Sequence, residues 1–463
     1  MDKVDILLVI PPFHMRNGGG HFFPMGTGYI VSSLASRHHT YHIINCTDIV
    51  SSLFEEDLET LRSEVTKQIK EYQPLVIGIG PCVTTQLKAL KVIADVCKNV
   101  FPDTPFFAGG PFASISGQEE VFFNRIGIAY LIQGDGEEAV PNLLDVIKRG
   151  GSIKECSNVS YRGHLTKNII KDIESIKFPY RTFEAEESFS KRRKKGPRQA
   201  AMIASRGCPY NCNYCVSGNL RKEFGQFRKR SFDSIVGEMI FLRDKYNVAS
   251  VVFYDDLFFP NIHNINSDID EFCSLLINQR VNMTWQIEMR PDYFVAISDE
   301  SIERLAKAGC CQINLGIEKS SESGLRFLGK VGNRDGLQEK MKSAKEMSID
   351  LSATFILGGD AETKEDVLAL IGYAKSLPLD FAHFNPLFIY PGTPLYYAVF
   401  STEDEWVDRV LQDSLPWGEI VYENDSLKTS DLLELVDLAY SSFYKGTKYE
   451  RDNMIEDRFN LKR

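Results

Sequence analysis

The chain has 463 residues, of which 43% are hydrophobic and 25% are charged. These values are typical of globular proteins and exclude a disordered, collagen-like or coiled-coil chain, while the length predicts two or three domains. The net charge of −10 disfavours a protein whose main role is to bind nucleic acid, because such binding needs a basic surface.

Strand and helix patterns alternate over residues 1–150. The apolar run at residues 4–10 is followed by two prolines, as expected for a strand that is buried on both faces of a parallel sheet. Glycines follow several of the later strands. The alternation predicts an α/β fold that begins with a doubly wound, Rossmann-like domain, in which ligands lie across the carboxyl ends of the strands.

Three further segments follow this domain. Residues 151–197 are irregular and are predicted to be a connector, whose basic run at 191–195 is interpreted as a solvated linker rather than a binding patch. Residues 198–398 resume the β/α alternation and predict a partial or complete parallel barrel of six β/α units, with functional residues at the strand ends. Residues 399–463 have a helical pattern and are predicted to form a C-terminal helical cap.

The sequence also predicts the compartment. No apolar stretch approaches the roughly 18 residues that a membrane span needs, and the N-terminus does not have the pattern of a signal peptide. We therefore expect a cytoplasmic protein with no membrane partner and no nucleic-acid partner. Its ten cysteines are then expected to be reduced, either as buried apolar side chains or as reactive or metal-binding thiols.

One group of cysteines stands out. Cys208, Cys212 and Cys215 lie on a loop that begins where the first predicted barrel strand ends. Turn-forming residues between them allow the thiols to converge on one site. A structural zinc site would need a fourth ligand at a companion spacing, and none is nearby. Three thiolates are the number that leaves one iron of a 4Fe–4S cluster open to another ligand.

This spacing, with Tyr214 just before the last cysteine, closely resembles that of the radical S-adenosylmethionine (SAM) enzymes. The resemblance implies a 4Fe–4S cluster on Cys208, Cys212 and Cys215 whose open iron chelates the amino and carboxyl groups of SAM. It also implies an electron donor such as flavodoxin or ferredoxin, and cleavage of SAM to a 5′-deoxyadenosyl radical. Structural zinc or buried thiols are the alternatives.

The resemblance places the SAM contacts at the ends of the barrel strands. Asp255 and Asp256 correspond to groups that receive the SAM amino group, although the same residue type also caps helices. Arg290 is suited to pairing with a carboxylate. The predicted set of SAM-binding residues is Tyr214, Asp255, Asp256, Arg290, Glu318, Ser320, Gly358, Gly359 and Tyr390.

A doubly wound domain ahead of such a barrel resembles the cobalamin-dependent branch of this family. Glycines at the strand ends would let the backbone lie against a flat, bulky ligand. The resemblance gives a predicted set of cobalamin-binding residues, namely His14, Gly80, Cys82, Val83, Thr84, Thr85, Gly109, Gly110, Gly134, Gly136 and Glu137.

The cobalt ligand is left open by the sequence. His14 falls where many cobalamin domains have a ligating histidine, but Pro12 replaces the acidic residue that would orient its ring, and the glycine comes one residue late. His14 is therefore either a ligand or an ordinary loop residue. Cys82 is either a group facing the cobalt or a small buried side chain.

The leading hypothesis for function is a cobalamin-dependent radical SAM methyltransferase that acts on an unactivated carbon, or less often phosphorus, of a small molecule. The alternative is the same architecture performing dehydration, cyclisation, rearrangement or oxidation without methyl transfer. A third hypothesis is a cobalamin sensor with a structural metal. Aromatic residues of the tail, Trp406, Trp417 and Tyr422, either close over the substrate or pack internally.

Overall fold

A computed structural model describes residues 1–12, 24–50, 53–181, 198–225, 227–415 and 418–447. Three features singled out in the sequence, His14, the basic run 191–195 and Trp417, lie outside these residues. Within the described ranges, no helix combines the length and the apolar character that a membrane crossing requires.

The first half of the chain forms a six-stranded sheet in the order β2-β1-β3-β4-β5-β6, parallel except for β6. Alternate residues of the first strand reach two separate hydrophobic clusters: Leu7 and Val9 enter one, and Ile6 and Leu8 enter the other. The strand is thus buried on both faces, as predicted. The strands are β1 (Asp2–Ile10), β2 (Tyr41–Asn45), β3 (Tyr72–Ile79), β4 (Phe106–Gly109), β5 (Tyr130–Ile132) and β6 (Ser160–Tyr161).

Helices cover both faces of this sheet, which confirms the doubly wound fold. The first and the fourth helix pack together on one face, and the second and the third pack together on the other. These helices are α1 (Met25–Ser36), α2 (Glu55–Ile69), α3 (Leu87–Val100) and α4 (Gly136–Lys148).

The second half forms a curled parallel sheet in the order β14-β13-β12-β11-β10-β7. A short antiparallel hairpin, β8 (Ser205–Arg206) with β9 (Arg228–Lys229), stands beside it. The first and last strands lie at opposite edges of the sheet, so it is a half-barrel, one of the predicted forms. Its strands are β7 (Gln199–Met202), β10 (Ser250–Phe253), β11 (Thr284–Met289), β12 (Cys310–Glu318), β13 (Asp350–Leu357) and β14 (Phe381–Pro386).

The half-barrel has an apolar outer face, which helices cover, and a polar inner face. In β11, Trp285 and Ile287 are buried in the hydrophobic cluster beneath the outer helices, whereas Gln286 and Glu288 lie on the inner face. Those helices are α5 (Val216–Phe224), α6 (Phe232–Tyr246), α7 (Ile265–Asn278), α8 (Pro291–Ala296), α9 (Asp299–Lys307), α10 (Glu322–Phe327), α11 (Leu337–Glu346) and α12 (Lys364–Ser376).

The C-terminal helices divide between the two sheets. Trp406 packs against Phe112 of the first domain with ring centroids 5.7 Å apart, so this tail aromatic has a packing role. In the last helix, the Tyr440 hydroxyl accepts a hydrogen bond of 3.0 Å from the backbone N–H of Phe384 in β14. The helices are α13 (Pro394–Val399), α14 (Glu403–Asp413) and α15 (Thr429–Tyr444).

Candidate functional site

The cysteine loop connects β8 to α5. Cys212 is buried, and Cys208 and Cys215 are half-buried. Burial, with smaller effects of the Asp256 charge and of the neighbouring thiols, raises the pKa of Cys208 to about 11, although a backbone hydrogen bond at Tyr210 opposes the rise. Within the described ranges, no three potential ligand side chains stand in a preformed metal-binding arrangement. The donor set itself, three thiols near one another on one loop, fits an iron–sulfur cluster.

Asp255 lies beneath this loop rather than in a ligand site. Its carboxylate accepts hydrogen bonds from the backbone N–H of Ala204, at 3.0 and 3.1 Å, and from the Ser205 hydroxyl. Burial raises the pKa of Asp255 to about 6, although these hydrogen bonds oppose the rise. In this structure Asp255 fixes the chain that leads into the cysteine loop and does not line the cavity described below, and its contact with SAM stays a prediction.

A cavity of about 500 Å³ opens at the carboxyl ends of the half-barrel strands. That volume is within the usual range of ligand pockets. Five of the predicted SAM-binding residues line it: Tyr214, Asp256, Arg290, Glu318 and Tyr390. The structure thus brings together the aromatic residue beside Cys215 and side chains from the ends of four different strands.

Glu318 is the most constrained residue of the cavity wall. Its φ of +62° places a residue with a side chain in the left-handed region, at a register shift between β12 and β13. Oε1 accepts hydrogen bonds from Lys330 at 2.7 Å and from the Tyr214 hydroxyl at 3.2 Å. Oε2 is buried and has no partner within the described ranges. Strain and an unpaired buried acceptor are both typical of a ligand-binding group.

Gly316 leaves room for this ion pair. A Cβ at residue 316 would meet the ends of the Lys330 and Glu318 side chains, so a larger residue there would push the pair aside. Lys330 was not predicted from the sequence. No local pattern marks it, because it comes from a loop that follows α10.

Arg290 and Asp256 have protein partners within the cavity wall. Arg290 pairs with Asp292 at 2.9 Å, and its guanidinium lies 3.8 Å from the centroid of the Tyr210 ring. Asp256 accepts a hydrogen bond of 2.7 Å from the Ser217 hydroxyl. Both side chains are therefore held in place before any ligand binds.

Besides Asp255, three predicted SAM-binding residues do not line the cavity. Ser320 is exposed to solvent. Gly358 has a φ of +85°, and a Cβ there would lie 3.0 Å from the Leu432 side chain of α15, so it faces the tail helix. Gly359 lies against Phe327. The predicted contacts of these residues with SAM are not supported by their positions.

The C-terminal segment supplies one wall of the cavity through Glu419, a residue that was not singled out in the sequence. Tyr390 donates a hydrogen bond of 2.8 Å to Glu419, which also lines the cavity. Backbone hydrogen bonds join the two segments, from Ile389 N–H to Ile420 at 3.0 Å and from Tyr422 N–H to Leu387 at 2.8 Å. The tail therefore closes one side of the cavity.

Glu288 is another cavity residue that was missed. The Glu288 side chain is exposed at the surface of the cavity. The surrounding protein nevertheless shields the carboxyl group from water, and this desolvation raises its pKa from 4.5 to about 7. Strand alternation places residue 288 on the same face as Arg290, so the period of two residues was the signal that would have found it.

The edge of the first sheet is built by backbone packing. The loops after β3 and β4 bind each other: Cys82 N–H donates to Gly109 at 2.8 Å, and Phe112 N–H donates to Cys82 at 2.9 Å. A Cβ on Gly80 would lie 2.6 Å from the Gly109 oxygen, and one on Gly110 would lie 2.5 Å from the Cys82 nitrogen. These glycines are thus required for contact between two protein loops, a reason different from the one the sequence suggested.

Cys82 does not face this edge. Its side chain is fully buried, the thiol donates to the Ile79 carbonyl, and burial raises its pKa to about 12. This position favours the second of the two options raised for Cys82, a small buried side chain, and its role toward a cobalt stays a prediction. Val83, Thr84 and Thr85 are half-buried at the same edge, where hydroxyl and backbone groups fit the polar periphery of a large cofactor.

Gln86 links the loops at this edge of the first sheet, and it was not predicted from the sequence. Its side-chain N–H donates to the carbonyls of Pro11 and Pro12, at 3.4 and 3.1 Å, and its side-chain oxygen accepts from Val83 N–H at 2.9 Å. It thereby links the loops after β1 and β3. No motif in the sequence marks such a residue.

The predicted cobalamin residues Gly134, Gly136 and Glu137 lie at the joint between the two halves of the protein. Glu137 is buried, and its carboxylate is bound by Arg206, which lies two residues before Cys208. The Glu137 side chain is thus committed to the other half of the chain, and the structure does not support its predicted contact with cobalamin.

Asp135 completes this joint. It accepts a hydrogen bond of 2.5 Å from Arg206 and another from Arg228, and Arg206 also lies over the Tyr29 ring at 5.4 Å. Because β8 pairs Arg206 with Arg228, one hairpin presents both guanidinium groups to one acidic turn. We call Asp135, Glu137, Arg206 and Arg228 the joint cluster.

Family comparisons follow this division of the chain. Residues 202–374 match the model of the radical SAM superfamily, and residues 15–144 match the model of the B12 binding domain. The first match spans the cysteine loop and most of the half-barrel. The second spans most of the doubly wound sheet.

Similar proteins cover nearly the whole chain. "Uncharacterized methyltransferase PH0819" of Pyrococcus horikoshii is 26% identical and covers 97% of this chain and 94% of its own length. An anaerobic magnesium-protoporphyrin IX monomethyl ester cyclase of Rubrivivax gelatinosus is 22% identical and covers 96% and 78%. The solved structure of TsrM, a radical SAM methyltransferase from Kitasatospora setae, matches with a TM-score of 0.67 at 15% identity over 99% of both chains, a likeness that shows the fold.

Proposed function

The chain belongs to the radical SAM enzymes that carry a B12-binding domain, and from this premise we propose that it is a methyltransferase of a small molecule. Its cofactors are a 4Fe–4S cluster, SAM and cobalamin, which confirms the set predicted from the sequence. The target in this proposal is an unactivated carbon or, less often, phosphorus. The similarity to PH0819 over most of both chains supports methyl transfer.

The observation that carries the proposal is the position of the cavity. Tyr214, beside Cys215, forms one wall. Ile356 and Leu387 form another, and both belong to a hydrophobic cluster that also contains core residues of the first domain such as Leu7. A molecule in this cavity lies beside the cysteine loop and against a wall whose packing continues into the first domain, which supports the proximity that methyl transfer needs.

The cofactors supply the difficult chemistry, namely one-electron cleavage of SAM and a carrier for the methyl group. The chain supplies binding and orientation. In the proposal, Cys208, Cys212 and Cys215 hold the cluster, and the unpaired Oε2 of Glu318 accepts a hydrogen bond from SAM. The Tyr390–Glu419 contact keeps the tail segment over the cavity and thereby limits the entry of water.

The test is anaerobic reconstitution with iron, sulfide and cobalamin, followed by reaction with methyl-labelled SAM, a flavodoxin or ferredoxin reductant and a small-molecule extract of the source cells. We expect cobalamin to be retained through gel filtration and the label to appear in a new small molecule. If 5′-deoxyadenosine forms while all label stays in SAM and its breakdown products, methyl transfer is wrong.

A second candidate function is radical chemistry without methyl transfer, such as the cyclisation, dehydration, rearrangement or oxidation expected as the alternative. The observation that favours it is the similarity to the magnesium-protoporphyrin ester cyclase, which extends over 96% of this chain. In the same experiment this candidate predicts a changed product mass that contains no labelled methyl group.

A further inference from the structure

The turn of residues 134–137 follows β5 and leads into α4 of the first domain. Its two carboxylates are buried, with exposed side-chain fractions of 8% for Asp135 and 6% for Glu137. Both are bound by arginines from the second half of the chain, and together these four residues form the joint cluster. None of these four described residues lines the cavity. The turn therefore contacts the second half of the chain at a place separate from the cavity.

Arg206 connects this turn to the start of the cysteine loop. One guanidinium nitrogen donates a hydrogen bond of 2.5 Å to Asp135, and the other donates to Glu137. A guanidinium group that binds two carboxylates through different nitrogens has a fixed orientation, because it is planar and its donors point in set directions. Since Arg206 lies two residues before Cys208, the position of the turn determines where the cysteine loop begins.

Phe224 connects the same turn to the helix that follows the loop. It is buried at the last position of α5, which begins directly after Cys215. A Cβ on Gly134 would lie 3.0 Å from the Phe224 ring and 2.2 Å from the Asn168 carbonyl oxygen, and the φ of Gly134 is +85°. A glycine at this position thus lets the turn lie against the end of α5. Both sides of the cysteine loop are held by one turn of the first domain.

Arg228 adds a third connection. It pairs with Arg206 in the hairpin of β8 and β9, and its guanidinium group donates to Asp135. The same group donates a hydrogen bond of 2.6 Å to the Ile170 carbonyl. Burial by itself would raise the pKa of Asp135, but the two arginines and a hydrogen bond from Ile170 N–H outweigh it and hold that pKa below its ordinary value. Asp135 is therefore charged at neutral pH and binds both strands of the hairpin.

The joint cluster is better suited to fixing a position than to adding stability. Buried ion pairs contribute little net stability, because removing the charges from water costs about as much as their attraction returns. They do select one arrangement of the groups that they join, because any other arrangement leaves a buried charge without a partner. Two carboxylates and two guanidinium groups thus specify how the hairpin sits on the turn.

We propose that the turn of residues 134–137 is a positioning element, which holds the cysteine loop in a fixed place relative to the cobalamin edge of the first sheet. The turn and this edge belong to one sheet: β5 pairs with β4, whose following loop contains Gly110, a predicted cobalamin residue. The inference rests on the proposed function, in which SAM and cobalamin must meet at one substrate. Small displacements of reacting groups lower such rates strongly.

The test uses the reconstituted enzyme with cobalamin, reduced by dithionite without SAM. Electron paramagnetic resonance spectroscopy measures the magnetic interaction between the reduced cluster and cob(II)alamin, which depends on the distance between them and on no chemical step. Glu137→Gln removes one charge of the turn, while Asp135 still pairs with both arginines. We expect the distribution of this interaction to broaden at least about twofold. The matched control is Glu138→Gln, the same change at the next residue, where the side chain is exposed; it should leave the interaction unchanged.

A second variant, Phe224→Leu, changes the other contact of the turn and alters no charge. It should broaden the interaction in the same way. Both variants should keep the rate of 5′-deoxyadenosine formation per cluster within about twofold of the wild type, because that step needs only the cluster and SAM. Iron and cobalamin contents, measured for each variant, give the loaded fraction to which the rates and spectra are scaled.

An interaction that stays unchanged in Glu137→Gln and Phe224→Leu would overturn the inference, as would equal broadening in Glu138→Gln. The absence of any interaction in the wild type would also overturn it, since the cysteine loop would then not be held near cobalamin. Loss of 5′-deoxyadenosine formation in both variants would do the same, because it would reveal a general defect of the half-barrel. No readout depends on methyl transfer, so failure of the proposed function is detected separately by the labelling experiment.

Discussion

The two parallel sheets of this protein offer ligands different surfaces. In the first sheet, both faces of β1 are buried, so that only the loops at the carboxyl ends of the strands remain for a ligand. In the half-barrel, one face is apolar and buried, and the other carries polar side chains such as Glu288 and Asn314. In the first sheet, which helices cover on both faces, a ligand can contact only the loops and their backbone. In the half-barrel, a ligand can contact the side chains of the strands.

This difference explains how each site is stabilised. Loop packing in the first domain depends on the absence of side chains at Gly80 and Gly110. The half-barrel site depends on paired charges, Lys330 with Glu318 and Arg290 with Asp292. The joint cluster then fixes one site relative to the other, because Arg206 begins the cysteine loop and binds Glu137 of the first domain.

The largest expected effect separates the two sites. Cys208→Ala removes one of the three cluster ligands in our proposal, so we expect the rate of 5′-deoxyadenosine formation to fall by at least about 100-fold. Cobalamin retention should not change, because the loops predicted to bind cobalamin follow β3 and β4 and do not include Cys208. Iron analysis and chromatography of reductant-treated enzyme measure both. Cys311→Ala is the control, and a variant Cys208→Ala with normal SAM cleavage would contradict the assignment.

The next effect concerns the loops of the first sheet. Gly80→Ala places a methyl group 2.6 Å from the Gly109 oxygen, which must displace one loop. We expect cobalamin affinity to fall by at least about tenfold, as measured by equilibrium dialysis. Cys82→Ala is the matched control at the same loop and should retain cobalamin, since its thiol is buried. Loss of cobalamin in Cys82→Ala but not in Gly80→Ala would show that the Cys82 side chain contacts the cofactor and that the packing of Gly80 does not matter for it.

A third effect tests the joint between the sheets. Arg206→Ala leaves the buried carboxylates of Asp135 and Glu137 without a main partner. Breaking such a pair is strongly destabilising, so the thermal midpoint should fall by at least about 5 °C. Arg162→Ala removes an exposed pair with Glu120 and should change the midpoint by less than about 1 °C. Similar shifts in both variants would mean that the joint cluster adds little.

The smallest effect is a dependence on pH. The pKa of Glu288 is raised from 4.5 to about 7 in the folded protein. The folded state therefore holds this proton more tightly than the unfolded chain, and the stability that the group contributes is lost as the pH rises from about 4.5 through 7. Glu288→Gln removes this loss.

The difference in thermal midpoint, Glu288→Gln minus wild type, should be about 2 °C larger at about pH 8 than at about pH 5. Scanning fluorimetry at the two pH values measures the difference, with Glu346→Gln as the exposed control. A gain that is the same at both pH values would show that the effect comes from packing rather than from ionisation of Glu288.

The sequence by itself determined the features that depend on local order. Alternating patterns defined the doubly wound sheet and the half-barrel, because burial on one or both faces dictates which residues a strand contains. The spacing of Cys208, Cys212 and Cys215 predicted the cluster loop, since residues this close along one loop can converge on one site whatever the rest of the chain does.

Only the tertiary structure decided which distant groups meet. Glu137 was expected at a cofactor and instead binds Arg206, about 70 residues later, and Gly358 faces α15 rather than the cavity. Lys330 and Glu419 enter the site from loops that carry no motif. The physical reason is that charge pairing and cavity shape depend on separations through space, which become fixed only when the two sheets and the C-terminal helices pack together.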